Sequence, residues 1–221
     1  LLCVRHTRKT DNPLLILDIF LKNKFTFSVL FLILLQFVCL SIGFLLPNYA
    51  QLVMGKNPLV AGCILLPGCV LGAVLNPFTG KLLDHCGAAV PILIGTILAL
   101  CSALLFAFYI STASTTGLAV IYTFFAVAQG FTVGNIMTNG LRSLPNQLHA
   151  VVNAFFISFL QLAGAMGPSV VSTIVAAAQQ VQAGHLAAGT SLGTQHAFML
   201  LLALTLVMAG CAYKAVLAPQ K

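Results

Sequence analysis

The stretch FTFSVLFLILLQFVCLSIGFLL, residues 25–46, decides what kind of molecule this is. It carries no charged residue and stops at Pro47. A helix rises about 1.5 Å per residue, so roughly 20 apolar residues cross the hydrocarbon core of a bilayer. The run therefore reads as a membrane span. The rest of the chain agrees, being 60% hydrophobic and 6% charged over 221 residues, with a mean hydropathy of +1.06. Soluble domains carry roughly 25% charged residues, and this chain has too few to cover a surface in water. A transmembrane barrel is excluded by the continuity of the runs, because barrel strands alternate apolar and polar in segments of about 10 residues.

Six segments are long enough: 25–46, 58–78, 88–110, 117–138, 150–176 and 197–216. The expected fold is all-α, a bundle of six transmembrane helices over 25–217. The second span contains Pro67 and the pair Gly68 and Gly72. Residues 1–24 are basic and mixed, like a linker between helices, and PLLILDIFLKNK (13–24) suits a short amphipathic piece at the membrane surface. Residues 176–196, AAAQQVQAGHLAAGTSLGTQH, are small and polar and are expected to extend the fifth helix and then loop. Residues 218–221 form a tail. The chain begins with Leu1, and the expectation is a part of a longer protein.

With six spans, one side receives Arg5, Arg8, Lys9, Lys22, Lys24, Lys81, Arg142, Lys214 and Lys221, and the other only Lys56. The positive-inside rule makes the first side cytoplasmic and places both termini there, in the cell membrane. The net charge of +7 then reports topology and attraction to an anionic leaflet, not a nucleic-acid surface. Seven cysteines include no CxxC pair and fall mostly in apolar runs, so neither a metal site nor a cofactor is expected. An enzyme is not expected either. HExxH is missing, and Gly167-Pro168-Ser169 has no histidine at matching depth, because His85, His149, His185 and His196 lie at loops or ends. The dipeptides Asn57-Pro58 and Asn76-Pro77 sit at opposite ends of one span, unlike water-channel half-helices.

Asp84, in GKLLDHCGAAVP (80–91), is the one acidic residue beyond Asp18. It falls in the turn between the second and third spans, bracketed by Gly80 and Gly87, where a carboxylate escapes the roughly 2.5–3.5 kcal/mol penalty of a helix centre. It either solvates that turn or pairs with Arg142 across the inner surface. The pattern G-x-x-x-D-x-x-G before an apolar span resembles the signature loop of the major facilitator superfamily. NPLLILDIFLKNKFTF (12–27), LPNYAQLVMGKNPLVAGCILLPGCVLGAVLNPFTGKLLDHCGA (46–88) and SLPNQLHAVVNAFFISFLQLAGAMGPS (143–169) are similar to the C-terminal half of its fourteen-helix drug:proton antiporters. Where that family's loop usually carries basic residues, this chain has His85, Ala88 and Ala89.

The resemblance implies the C-terminal six-helix half of a proton-coupled exporter of hydrophobic, cationic drugs. Its partners would be the N-terminal half, the lipid bilayer, a small hydrophobic substrate and protons. Gly80, Asp84, Gly87 and Arg142 would form a conformational latch, and Gly164, Gly167 and Pro168 a packing hinge. Gln36, Gln129, Thr132 and Asn135 would line a substrate cavity, with Phe124 and Phe125 as aromatic walls. Ordinary close packing and bonds between amides across helices explain the glycines and the polar residues equally well. No Asp or Glu lies inside a span, so a proton-carrying carboxylate belongs to the other half. The rival reading is a free-standing or truncated six-helix chain with an assembly role.

Overall fold

Inside a bilayer the backbone has no water to bond, so each segment must satisfy its own peptide groups, and uninterrupted helices result. A computed structural model of the chain describes residues 23–142, 149–182 and 184–216. These form α1 (Asn23–Leu52), α2 (Pro58–Cys63), α3 (Leu66–Cys86), α4 (Ala89–Tyr109), α5 (Thr115–Arg142), α6 (His149–Val181) and α7 (Leu186–Val216). Six spans are long and apolar enough to cross a membrane, α2 and α3 together making the second. No strand occurs among the described residues. The expected surface segment before the first span, 13–24, lies almost wholly outside the described residues.

The helices run past the expected ends. α1 continues through Pro47, where the Asn48 side chain donates to the Phe44 carbonyl (2.7 Å) and that of Gln51 to Pro47 (3.2 Å). The N–H that proline lacks is the one that would bond the Gly43 carbonyl, and the helix continues without it. In the second span the interruption is at Pro67, which starts α3 after a short break, with the Leu65 N–H tightening onto Gly62 (3.1 Å). α3 then runs beyond position 78 to Cys86, so Asp84 stands on the last helical turn and not in a loop. Gly80 lies within α3. Gly87, at φ 76°, makes the turn into α4.

α7 starts at Leu186, where a loop was expected up to 196. The reason is close packing. A Cβ at Gly189 would sit 2.8 Å from the Gln179 Cα, and one at Gly193 2.7 Å from that of Val175. Only bare backbone lets α6 and α7 approach so closely. Gln179 seals the pair by donating to the Thr190 hydroxyl (2.7 Å). The turn between them passes through Gly184, at φ 104°.

The helices form two layers. A front row runs α3, α5, α1, α6, each touching the next, while α4 packs behind α5 and α7 behind α1, touching one another. Exchanging α3, α4 and α1 for α6, α7 and α5 reproduces this neighbour pattern, as expected of an inverted repeat. The outer members of the row are the least covered. Their most apolar windows are 22% buried in the α2–α3 span and 28% in α6, against 50% in α1. Phe25 meets Phe156 edge-on at 5.3 Å, and the Lys214 ammonium lies 5.0 Å from the Phe27 ring. These contacts gather the start of α1, the start of α6 and the end of α7 at one end of the bundle. The chain's alternation brings the ends of α3 and α5 there too.

At the α1–α6 contact, a Cβ on Gly167 would lie 2.5 Å from the Phe37 carbonyl oxygen, which is backbone and cannot yield. Gly167→Ala should therefore cost about 1–3 kcal/mol through overpacking and lower the chain's melting temperature by several degrees. Gly210→Ala, where a Cβ meets nothing within 4 Å, serves as the control and should leave it unchanged or raise it slightly, since alanine favours the helix. Equal melting of the two variants would contradict the contact.

Candidate functional site

Glycine and alanine do more in α3 and α5 than bring the helices together: they leave space. Gly68 and Gly72 face Tyr122 and Ala126, with a Cβ on Gly68 only 2.7 Å from the Tyr122 ring. Beside this contact a cleft of about 700 Å³ opens between the two helices. From α3 it is lined by Cys69, Ala73, Asn76, Thr79 and Gly80, a stripe at helical spacing, and from α5 by Tyr122, Gln129, Gly134, Asn135 and Thr138 among others. None of its lining side chains is an Asp, Glu, Lys, Arg or His.

Hydrogen bonds fix its walls. The Thr79 hydroxyl lies 2.8 Å from the Asn76 carbonyl and 3.1 Å from that of Gly130, where it can bridge α3 to α5. Asn135 donates to the Phe131 carbonyl (2.8 Å) and, at 3.5 Å, to that of Thr79. The Cys69 thiol lies 3.8 Å from the Tyr122 hydroxyl. From α1 the Cys39 thiol donates to Gln129 Oε1 at 3.3 Å. Such bonds between membrane helices are worth about 0.6 kcal/mol each on average, so they orient these groups more than they stabilise the fold.

The residues expected from the sequence divide. Gln129 and Asn135 line the cleft together. Thr132 does not: it is fully buried, its hydroxyl donates to the Ala128 carbonyl (2.8 Å), and its methyl packs on Gly95 of α4. Gln36 sits away from the cleft, alongside Gly164 of α6. Phe125 is buried in the core and Phe124 is exposed, and neither lines the cleft. Gly164 and Gly167 pack on α1 at Leu40, Phe37 and Ser41, with Pro168 half-buried behind them. Gly80 lines the cleft, separate from the turn at Gly87. Asp84 is exposed at the end of α3. Arg142 closes α5 at the same end of the bundle, and its side chain lies outside the described residues.

Several polar residues of the cleft, among them Cys69, Asn76, Thr79 and Tyr122, escaped the sequence reading, as did Cys39 behind it. Cys39 and Cys69 passed as small hydrophobes, Asn76 only as half of an Asn-Pro dipeptide, and Tyr122 was not singled out. A signal existed. Gly68, Gly72 and Asn76 repeat every four residues and mark one face of α3.

Six apolar spans in two layers, with a polar cleft in the front one, define a multi-pass helical membrane protein. The chain belongs to the major facilitator superfamily, whose family model matches residues 4–168. It is similar to the lincomycin resistance protein LmrB of Listeria monocytogenes, at 31% identity over 86% of this chain and 42% of LmrB. It is 27% identical to an MFS-type transporter of Bacillus subtilis, YhcA, over 74% of this chain and 31% of YhcA. The multidrug resistance protein Stp of Mycobacterium tuberculosis is 30% identical over 40% of this chain and 16% of Stp. The chain thus spans less than half the length of these relatives.

The cleft's wetness can be read through its thiol. Cys69 and Cys101 are both exposed, but Cys69 faces a polar cleft while Cys101 lies on the outer side of α4, opposite its buried face. Alkylation needs a thiolate, and a thiolate needs water. Among single-cysteine variants in liposomes, the one retaining Cys69 should react with N-ethylmaleimide at least about tenfold faster than the one retaining Cys101, read by intact mass. Equal rates would mean that lipid fills the cleft.

Proposed function

We propose that the chain is the C-terminal six-helix half of a secondary active exporter, and that the α3–α5 cleft is part of its substrate path. The open front row carries this reading. A face meant for acyl chains would present bulky apolar groups throughout. Instead α6 carries a strip of small and polar residues, Ala154, Ser158, Gln161, Ala165 and Ser169, between exposed bulky ones such as Ile157 and Leu162, and α3 a strip of Cys69, Ala73 and Asn76 beside Leu66 and Val70. The hydroxyls of Ser158 and Ser169 bond back to Ala154 and Ala165 (2.9 and 3.0 Å), which leaves these strips flat. Small residues suit close contact with another bundle, and the partner is the N-terminal half of the same transporter. A cavity closed between two halves and opened alternately to each side follows from rocking one bundle on the other.

The substrates are small, hydrophobic and cationic drugs; the names of the lincomycin and multidrug resistance relatives support the drug part of this reading alone. The basic end of the bundle faces the cytoplasm, because Lys81, Arg142 and Lys214 gather there and Lys56 stands at the other end. Export runs in exchange for protons. The one acidic residue in the spans of this half, Asp84, stands in the last turn of its helix, so the mid-depth carboxylate that carries the proton lies in the partner half.

Asp84 and Arg142 act as a latch at the cytoplasmic end. A carboxylate in the last turn of a helix opposes the helix dipole by about 0.3–1 kcal/mol, and a cation beside it reverses that balance. Gly87 supplies the tight turn, and Gly164, Gly167 and Pro168 set how α6 seats on α1 as the halves rock.

Reconstituted in liposomes, residues 1–221 alone should show no proton-driven flux of rhodamine 6G, while the chain joined to its partner half should show it. In the joined protein, Asp84→Asn should cut flux about tenfold, the worth of one charged hydrogen bond, with membrane insertion unchanged. Proton-driven flux by the chain alone would overturn the reading. Equal loss of flux and insertion would reduce Asp84 to a folding residue.

A further inference from the structure

The cleft runs along two apolar spans, from Gly68 to Leu83 on α3 and from Tyr122 to Thr138 on α5, yet several of its polar groups have no partner among the described residues. The Cys39 thiol occupies Oε1 of Gln129, which turns the amide so that its two N–H donors remain for the cleft. No hydrogen bond engages those donors, or the Asn76 side chain, among the described residues. The Tyr122 hydroxyl has only the weak thiol of Cys69. Water in the cleft can meet these groups, since none of the unengaged side-chain atoms is buried, and an occupant that supplies the same partners can replace that water without leaving a polar group unpaired. The cleft's lack of ionised side chains is equally informative, since a cation bound here finds no counter-charge.

We infer that the α3–α5 cleft recognises the uncharged, hydrogen-bonding part of a ligand, an amide, carbonyl or hydroxyl on an aromatic body, and that Cys39 is the positioning residue that aims the Gln129 amide at it. The inference rests on the cleft being part of the substrate path. The ligand's acceptor meets Gln129 Nε2, a hydroxyl or amide meets Asn76, and the aromatic body lies against Tyr122 and the bare backbone of Gly72 and Gly130. Any positive charge on the ligand is met elsewhere, outside this cleft. Cys39 touches no ligand. It acts by fixing which end of the amide faces the cleft.

Two probes separate the terms. Chloramphenicol is neutral and carries an amide, hydroxyls and an aromatic ring, whereas tetraphenylphosphonium is a hydrophobic cation without hydrogen-bonding groups. Binding of each to the chain joined to its partner half is measured by equilibrium dialysis. Gln129→Met, which keeps the shape, should weaken chloramphenicol about three- to tenfold, the worth of one hydrogen bond, and leave tetraphenylphosphonium unchanged. Cys39→Ala should weaken chloramphenicol in the same direction, while Cys39→Ser, which restores a donor to Oε1, should recover it. Melting temperatures identify any variant that has misfolded, and for such a variant protection of Cys69 from N-ethylmaleimide by each probe in the parent protein replaces it. Protection by chloramphenicol but not by tetraphenylphosphonium supports the inference. Equal weakening of both probes by Gln129→Met, or no rescue by Cys39→Ser, overturns it while leaving the transport reading intact. If neither probe binds or protects Cys69, the cleft is not on the substrate path, and both readings fall.

Discussion

Close backbone contact at glycine is the constraint on which the rest of this structure depends. In water, helices are driven together by burying apolar surface, but in a bilayer the lipid tails are as apolar as leucine and that drive vanishes. What remains is contact at short range, which requires the side chains to be out of the way. The chain meets this twice in related places. Gly68 and Gly72 of α3 lie on α5, and Gly164 and Gly167 of α6 lie on α1. The pairs sit on helices that exchange in the inverted repeat, and each fastens one outer helix of the front row to a central one. The row, its open face and the cleft follow from those two seams.

The same economy of side chains produces the cleft. Removing bulk along one face of α3 exposes carbonyl groups and leaves volume, and the polar side chains that can reach those carbonyls settle there. Thr79 and Asn135 do so across the seam. A seam packed with leucine would have held the helices farther apart and buried the carbonyls behind hydrocarbon. Packing and polarity are therefore not separate features of this face.

Much of the fold was legible because a span is a one-dimensional property. Twenty apolar residues in sequence remain twenty apolar residues in a helix, and all six segments could be found by length alone. The ends were less legible, for a physical reason. Small and polar residues around 186–196 resemble a loop in composition, yet in three dimensions they form the closest contact between α6 and α7. The helix carrying Asp84 likewise outran its apolar run, since a helix needs no apolar residue once it leaves the hydrocarbon. Membership of the superfamily was legible from a motif with an ordered context. The cleft was only half legible. Gln129 and Asn135 stood out as polar groups in a span, and their neighbour Thr132 looked identical in sequence. Helical rotation separates them: Thr132 turns towards Gly95 of α4 and spends its hydroxyl on its own helix. Cys39 was invisible, because a thiol becomes polar only when an amide stands opposite.

Placement of charge follows from the solvent as directly as the helices do. An ionised side chain at mid-depth costs several kcal/mol, so the ions of the described spans lie towards their ends: Lys81 and Asp84 at one, Lys56 at the other. Lys81 extends back over the Phe78 ring, 5.9 Å from its centre, with its stem in the apolar layer and its charge at the rim. The middle of the bundle is left to amides, hydroxyls, a phenol and thiols, which are tolerated there only as long as each finds a partner. In most of this chain the partner is a carbonyl one turn back on the same helix, as with Ser41, Thr96, Thr123 and Thr205. Around the cleft Thr79, Asn135 and Thr138 bond locally in the same way, while the Asn76 and Gln129 amides are held facing an opening. A bundle that satisfies its polar groups locally nearly everywhere, and leaves two amides unspent in one groove, has its capacity for recognition concentrated in that groove.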